Sequence, residues 1–154
     1  MSDWIGHECG IAAIRLLKPL DYYIEKYGSP MYAVNKLTLL MEKQHNRGQD
    51  GAGVASIKLD MPPGTPYIFR TRSADKNPIM QVRNRIVQAF FEAREKHPVE
   101  YQDGEWVKRN VLFAGELLLG HLRYGTYGAS GETFCHPFLR QNNWMTRNLV
   151  LAGN

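Results

Sequence analysis

The longest periodic segment of the chain begins at Asn77 and Pro78 and continues to about Lys96. Asn followed by Pro is typical of a helix start, and the Pro98 that comes after is typical of a helix end. Its apolar residues recur at the three- and four-residue spacing of one buried helix face: Ile79, Val82, Ile86, Phe90 and Ala93. Short apolar segments lie on both sides of this helix. A long amphipathic helix among short strands predicts an α+β fold in which helices are layered on a sheet.

The rest of the chain divides into short elements. Strands are predicted in five places: Cys9–Leu17, Val54–Leu59, Pro66–Arg72, the LLLGHLRY stretch within Val111–Tyr124, and Leu149–Ala152. A second amphipathic helix is predicted over Met31–Lys43. The remaining segments are predicted to be loops, turns or surface excursions: Lys18–Pro30 with one helical turn at most, the Gly-rich loop Gly48–Gly53, the turn Met61–Thr65, Tyr101–Asn110, and the Gly-rich loop Gly125–Glu132.

The composition limits the kinds of protein that this chain can be. A chain of 154 residues, with 44% hydrophobic and 22% charged residues, is expected to form one globular domain rather than a disordered tail. The 19 basic and 15 acidic residues are interleaved, so no nucleic-acid partner is expected. No apolar run is long enough to span a membrane, and the start MSDWIGHE lacks the features of a signal peptide. With only Cys9 and Cys135, we expect a cytoplasmic protein with reduced thiols.

Three positions could carry chemistry. Cys9 begins a strand, where a cysteine is commonly a small buried hydrophobe but can also be a nucleophile. Arg47 and Arg123 each stand where a structural element meets a Gly-rich loop, in NRGQDGAG and GHLRYGTYG. An arginine there offers a planar fork of donors that matches a carboxylate, although a surface ion pair is the simpler interpretation of either one alone. A thiol together with a carboxylate clamp would suit an amino-acid substrate.

Other motifs give weaker indications. His121 and His136 have no third or fourth partner at ligand spacing, so we predict structural roles for them and no metal site. Cys135 stands next to His136, but adjacent residues of a strand point to opposite faces, which argues against a working thiol–imidazole pair. The glycines of residues 48–53 fit neither a phosphate-binding loop nor a dinucleotide-binding motif.

The order of four blocks, CGIAAI, NRGQDGAG, GHLRYGTYG and HPF, resembles the glutaminase domain of amidophosphoribosyltransferases. These are class II glutamine amidotransferases, within the N-terminal nucleophile hydrolases. The likeness runs from Cys9 to Asn154. The Arg-Gly-Gln-Asp form at residues 47–50 differs from that of two relatives: the glucosamine-phosphate-forming aminotransferase has Tyr at the third position, and asparagine synthetases have Pro there. The resemblance implies a four-layer αββα sandwich that is incomplete at its C-terminal side.

The resemblance also implies an activity and a set of site residues. Cys9 would be the nucleophile that attacks the side-chain amide of glutamine, with its own free α-amine as the base. Arg123 would bind the substrate α-carboxylate, Arg47 and Gly48 would shape the pocket, Thr126 would continue the glutamine site, and Gly153 would donate its N–H to the oxyanion. The ammonia would serve the first committed step of purine synthesis, a transferase reaction of the glycosyltransferase type. No cofactor is implied for the glutaminase domain.

Some features depart from the family pattern. Residues 1–8 precede Cys9 and are expected to be a propeptide. Ala152 stands where the family has an Asn that donates to the oxyanion, and the loss of one such donor typically costs about 10²–10³ in rate. The phosphoribosyl-transferring domain, on which the ammonia is used, is expected to be a missing C-terminal partner. The sequence leaves open whether the chain forms a homo-oligomer. The alternatives are a catalytically impaired structural or regulatory domain of the same fold, or an amidotransferase with a different acceptor.

Overall fold

A computed structural model of the chain describes residues 8–125 and 131–153. The strands are β1 (Gly10–Arg15), β2 (Gly51–Ile57), β3 (Ile68–Ser73), β4 (Leu117–Arg123), β5 (Phe138–Arg140) and β6 (Leu149–Leu151). The helices are α1 (Leu20–Tyr27), α2 (Tyr32–Lys43), α3 (Pro78–Lys96) and α4 (Gly104–Asn110), with short 3₁₀ turns between some of them. The first four strands form an antiparallel sheet in the order β1–β4–β2–β3, and β5 pairs with β6. The predicted α+β class is confirmed.

Helices α2 and α3 cover one face of the four-stranded sheet. Alternate strand residues point to this face, and they are small or aliphatic and buried: Ala12, Ala52, Val54, Leu118 and Leu122. A Cβ on Gly120 would lie 2.7 Å from the sulfur of Met41, so α2 approaches β4 very closely. Leu37 of α2 and Val82, Ile86 and Phe90 of α3 complete the core with at most 1% of their surface exposed. Burial of these side chains is the main source of stability of the fold.

The opposite face of the sheet is covered by the segments that enter β5 and leave β6. A Cβ on Gly51 would overlap the sulfur of Cys135, and a Cβ on Gly53 would overlap the carbonyl oxygen of His136. The two glycines therefore leave room for the backbone of residues 135–137 to rest on β2. The helices therefore cover one face of the four-stranded sheet, and the segment that leads into the β5–β6 pair lies on the other face.

Several sequence predictions of local structure are confirmed and some are wrong. The helices predicted over Met31–Lys43 and from Pro78 to Lys96 are present, and four of the five predicted face residues are buried, with Ala93 packed against the core. Lys18–Pro30 is not mainly a loop: it contains the two-turn helix α1, which begins after Pro19 and ends at Gly28 with φ of 71°. Pro19 and Gly28 bound that helix, where the prediction took them as loop residues.

Two further predictions need correction. Residues 101–110 are not a polar surface excursion, because they contain α4, and both Tyr101 and Val107 are buried. The Asp103 side chain caps this helix by accepting from the Trp106 N–H at 3.0 Å. The Gly-rich segment 48–53 is a loop only at its start, since β2 begins at Gly51. Gly51 and Gly53 belong to this strand, where the absence of side chains serves close packing.

Among the residues that the structure describes, no helix is both long enough and apolar enough to cross a membrane.

Candidate functional site

The candidate site lies at one end of the sheet, on the face away from the helices. Gly10 of β1 pairs with Leu122 of β4, so Cys9, one residue earlier, lies opposite Arg123. Gly51 of β2 pairs with Arg123 from the other side. The register of three neighbouring strands therefore brings Cys9, Arg123 and the start of β2 to one edge, although they are far apart in the sequence.

The Cys9 thiol is half-buried beside the backbone that follows Arg123. The Tyr124 N–H donates to Cys9 Sγ at 3.4 Å, within the longer range that hydrogen bonds to sulfur have. Cys9 as a residue is partly exposed, whereas Cys135 is buried.

Arg123 lines a cavity of about 530 Å³ at the same end of the sheet. Two carboxylates, Asp50 and Asp75, and the Gly125 backbone line it as well. The Arg123 guanidinium carbon lies 6.0 Å from the centroid of the Phe134 ring. Lys76 lines the cavity too, so the cavity combines two cationic side chains with two acidic ones, and both charges of a zwitterionic amino acid would find opposite charges there.

Asp50 fixes the loop that follows Arg123. Its backbone N–H donates to the Arg123 carbonyl at 3.0 Å, and its carboxylate accepts from the Gly125 N–H at 2.7 Å. The residue therefore holds both ends of the turn after β4. The sequence alone assigns Asp50 no role, and its place in the Arg-Gly-Gln-Asp segment is the one feature that could have indicated it.

Gly48 packs directly against β4, whereas Arg47 lies beside it and is half-buried. A Cβ on Gly48 would lie 2.7 Å from the carbonyl carbons of both Leu122 and Arg123. Only glycine allows this approach without displacing the strand. Gly48 and Asp50 also line a neighbouring cavity of about 430 Å³. The structure therefore brings Gly48 to the backbone of Arg123; its role in shaping a glutamine pocket stays a prediction.

Gly153 contacts His121 of β4, and His121 precedes Arg123 by two residues along that strand. Its carbonyl oxygen is 3.0 Å from His121 Nε2 and 2.9 Å from His136 Nδ1. Its N–H donates to His136 Nδ1 at 3.4 Å. Two strand residues span about 7 Å, so Gly153 is near the Cys9–Arg123 edge, but its N–H is directed to an imidazole.

His121 is one of the most buried polar side chains in the described ranges. It is 1% exposed, and its Nδ1 has no hydrogen-bond partner among residues 8–125 and 131–153. Burial lowers its pKa from 6.5 to about 4, and electrostatic contributions from His136 and Arg123 act in the same direction, while the hydrogen bond to Gly153 opposes the change. The imidazole is therefore neutral at pH 7.

Cys135 has a very different environment from that of Cys9. It is fully buried, and its thiol donates to the Ser73 carbonyl at 3.5 Å. Burial raises the pKa of this thiol, which disfavours the reactive thiolate. His136 directs its Nδ1 to His121 and Gly153 rather than to this sulfur.

Arginines of β3 hold the segment that enters β5, a feature that the sequence did not indicate. Arg72 Nη1 donates to the carbonyls of Thr133 and Cys135 at 3.2 and 2.9 Å, and Arg70 Nη1 donates to the Pro137 carbonyl at 3.4 Å. Burial lowers the pKa of Arg70, and Arg72 contributes in the same direction. These contacts attach residues 133–137 to the sheet.

The remaining predicted residue, Thr126, lies outside the described residues. Within them, no group of three or more His, Cys, Asp and Glu side chains could hold a metal ion. Searches of protein-family models and of curated proteins find no match to this chain.

Proposed function

We propose that this chain is a glutaminase domain of the class II glutamine amidotransferase type, with Cys9 as the nucleophile. The observation that carries the proposal is the juxtaposition of Cys9 and Arg123 at one sheet edge. The thiol accepts a hydrogen bond from the Tyr124 N–H, and Arg123, which lies opposite Cys9 in the strand register, lines a cavity of about 530 Å³. Attack on the side chain of an amino acid requires at least a nucleophile and a group, such as an arginine guanidinium, that binds the substrate carboxylate.

The reaction proceeds in two halves. After cleavage of the Glu8–Cys9 peptide bond, the Cys9 α-amine, whose ordinary pKa is about 8, accepts the thiol proton. The sulfur attacks the side-chain carbonyl carbon of glutamine, and the amine returns the proton to the departing nitrogen, which leaves as ammonia. Water then attacks the γ-glutamyl thioester, which releases glutamate and restores the thiol. Arg123 binds the α-carboxylate throughout.

The wider role follows from the same resemblance. We propose that the ammonia is transferred to phosphoribosyl pyrophosphate on a phosphoribosyl-transferring domain, which places the activity in purine biosynthesis in the cytoplasm. The four-layer αββα sandwich of the N-terminal nucleophile hydrolases is part of the same proposal. The helices on one face of the four-stranded sheet and the segment that leads into the β5–β6 pair on the other face support it.

Ammonia release from glutamine tests the activity. The chain is produced behind a tag whose protease leaves Cys9 as the first residue, and is compared with the full chain that retains Glu8. We expect release of ammonia and glutamate only when Cys9 is the first residue, because a peptide-bonded nitrogen is not a base. Cys9→Ala should abolish release, and Cys135→Ala is the matched control that should retain it. Equal activity in Cys9→Ala would overturn the proposal.

A second candidate function is a structural or regulatory domain of the same fold with impaired catalysis. The specific observation is that Gly153, the expected oxyanion donor, directs its N–H to His136 Nδ1 at 3.4 Å, and that Ala152 has no side-chain donor. A glutamine-binding chain that releases no ammonia after processing would favour this function. Isothermal titration of Cys9→Ala with glutamine separates binding from turnover.

A further inference from the structure

Three electron-pair donors converge on the non-helical face of the sheet: His121 Nε2, His136 Nδ1 and the Gly153 carbonyl oxygen. The two nitrogens are 3.2 Å apart, and each lies close to the oxygen, at 3.0 Å for His121 and 2.9 Å for His136. The three atoms therefore form a nearly equilateral triangle with sides close to 3 Å.

No placement of the ring protons gives every contact among these three atoms a donor and an acceptor. If each ring carries its proton on the converging nitrogen, both donate to the oxygen, but the two N–H groups then face each other and the Gly153 N–H also faces a donor. If His136 Nδ1 carries no proton, it can accept from the Gly153 N–H and from His121, but it then faces the carbonyl oxygen, another acceptor, at 2.9 Å. Every tautomer leaves two like groups in contact.

We propose that these three atoms bind a divalent first-row transition metal ion that imidazole ligates in octahedral geometry, such as Co²⁺ or Ni²⁺. Ligands about 2.1 Å from one ion and at the right angles of an octahedron are about 3.0 Å apart, given the usual metal–nitrogen and metal–oxygen distances. Both nitrogens and the oxygen would then direct lone pairs at the cation. Water would occupy the remaining positions, because His136 and Gly153 are only half-buried.

His136 and its backbone are held in place by contacts that do not involve the ion. The Phe138 ring lies edge-on to His136, with 4.1 Å between centroids. Arg72 holds the Cys135 carbonyl, and Gly53 leaves room for the His136 backbone. Such preorganisation favours binding. The nearby guanidinium groups oppose a cation, so the affinity should fall below that of a closed structural zinc site. The ion would tie the end of β6 to β4.

The test uses the full chain, treated with a chelator, and Co²⁺ alone as the probe. We expect one equivalent to bind, with visible absorption bands that Zn²⁺ displaces. His136→Gln should lose this binding, and His97→Gln, a histidine at the end of α3, should keep it. Binding that is the same in His136→Gln, or no binding by the wild-type chain, would overturn the proposal.

A second measurement keeps the test decisive if His136→Gln does not fold. In the wild-type chain, Co²⁺ should first broaden the NMR signals of His121, His136 and the Gly153 amide, since paramagnetic broadening is strongest next to the ion. Broadening that begins at His45 or His97 would locate the ion elsewhere and refute the site. The result is independent of glutaminase activity, because neither histidine takes part in the proposed reaction.

Discussion

Replacing Lys58 with Met should stabilise the protein, because Lys58 is a buried cation with too few counter-charges. Lys58 directly follows β2 and is 3% exposed, and its ammonium group lies 4.6 Å from the centroid of the Phe69 ring. The nearby carboxylate of Glu116 is already 2.6 Å from the Lys108 ammonium and accepts from the Leu59 N–H at 2.9 Å. Two ammonium groups therefore share one carboxylate in a buried region.

The pKa of Lys58 gives the size of the stabilisation expected for Lys58→Met. Burial lowers it from 10.5 to about 8; Glu116 opposes the change and Lys108 adds to it. Each pKa unit corresponds to about 1.4 kcal/mol, so the folded state disfavours the protonated amine by roughly 3 kcal/mol at pH 7. Methionine keeps much of the apolar stem and carries no charge. Lys58→Met should therefore raise the free energy of unfolding by roughly 2–3 kcal/mol at pH 7.

The stability of the wild-type chain should change with pH in a direction that the lowered pKa of Lys58 determines. Between pH 8 and 10.5 the unfolded chain keeps the Lys58 proton and the folded chain loses it, so stability rises with pH across this window. Urea unfolding of the wild type and Lys58→Met at pH 7, 8, 9 and 10 measures the difference, in which other titrating groups largely cancel. The stabilisation should shrink as the pH rises. Lys96→Met, at an exposed position, is the control and should change little. A destabilised Lys58→Met, or a difference that does not vary with pH, would refute this reasoning.

Three further predictions concern the site. Arg123→Lys keeps the charge but loses the bidentate fork, so steady-state kinetics of the processed chain should show KM for glutamine raised more than kcat is lowered; an unchanged KM would place the carboxylate clamp elsewhere. Asp50→Ala removes the acceptor for the Gly125 N–H and should raise KM more than Asp50→Asn, which keeps an amide oxygen; equal effects of the two variants would argue against a positioning role. Gly53→Ala introduces a Cβ that overlaps the His136 carbonyl and should cost about 1–3 kcal/mol in urea unfolding, and a neutral effect would mean that residues 135–137 do not rest on β2.

The sequence predicted those parts of the fold that depend on local patterns. The regular spacing of Ile79, Val82 and Ile86 was enough to predict α3, because a periodic apolar face has one simple explanation. Helix α1 was missed because Pro19 and Gly28 are common both in loops and at helix boundaries. Such residues mark an interruption without specifying which side of it is helical.

The candidate site was predictable only in part. The Gly-rich motifs led to the prediction of Gly48 and Arg123 as site residues, because the neighbouring residues of both positions form a recognisable pattern. The contact of His121 with Gly153 spans 32 residues and depends on how the segments around β5 and β6 pack on the sheet. Arg70 and Arg72 donate to backbone carbonyls. Every residue has a backbone carbonyl, so the sequence does not show which ones are contacted. Tertiary packing, rather than residue type, determines these features.

The strand order has a consequence for how this chain folds during its synthesis. Among residues 8–125 and 131–153, strand β1 pairs with β4 alone, and about a hundred residues separate the two strands. At about 5–20 residues per second, β1 leaves the ribosome roughly 5–20 s before its partner. During that time β2 and β3 can pair as neighbours, whereas the apolar GIAAIR segment of β1 has no strand to pair with. A nascent chain that stalls before Leu117 would therefore expose an unpaired apolar strand and be a substrate for chaperones.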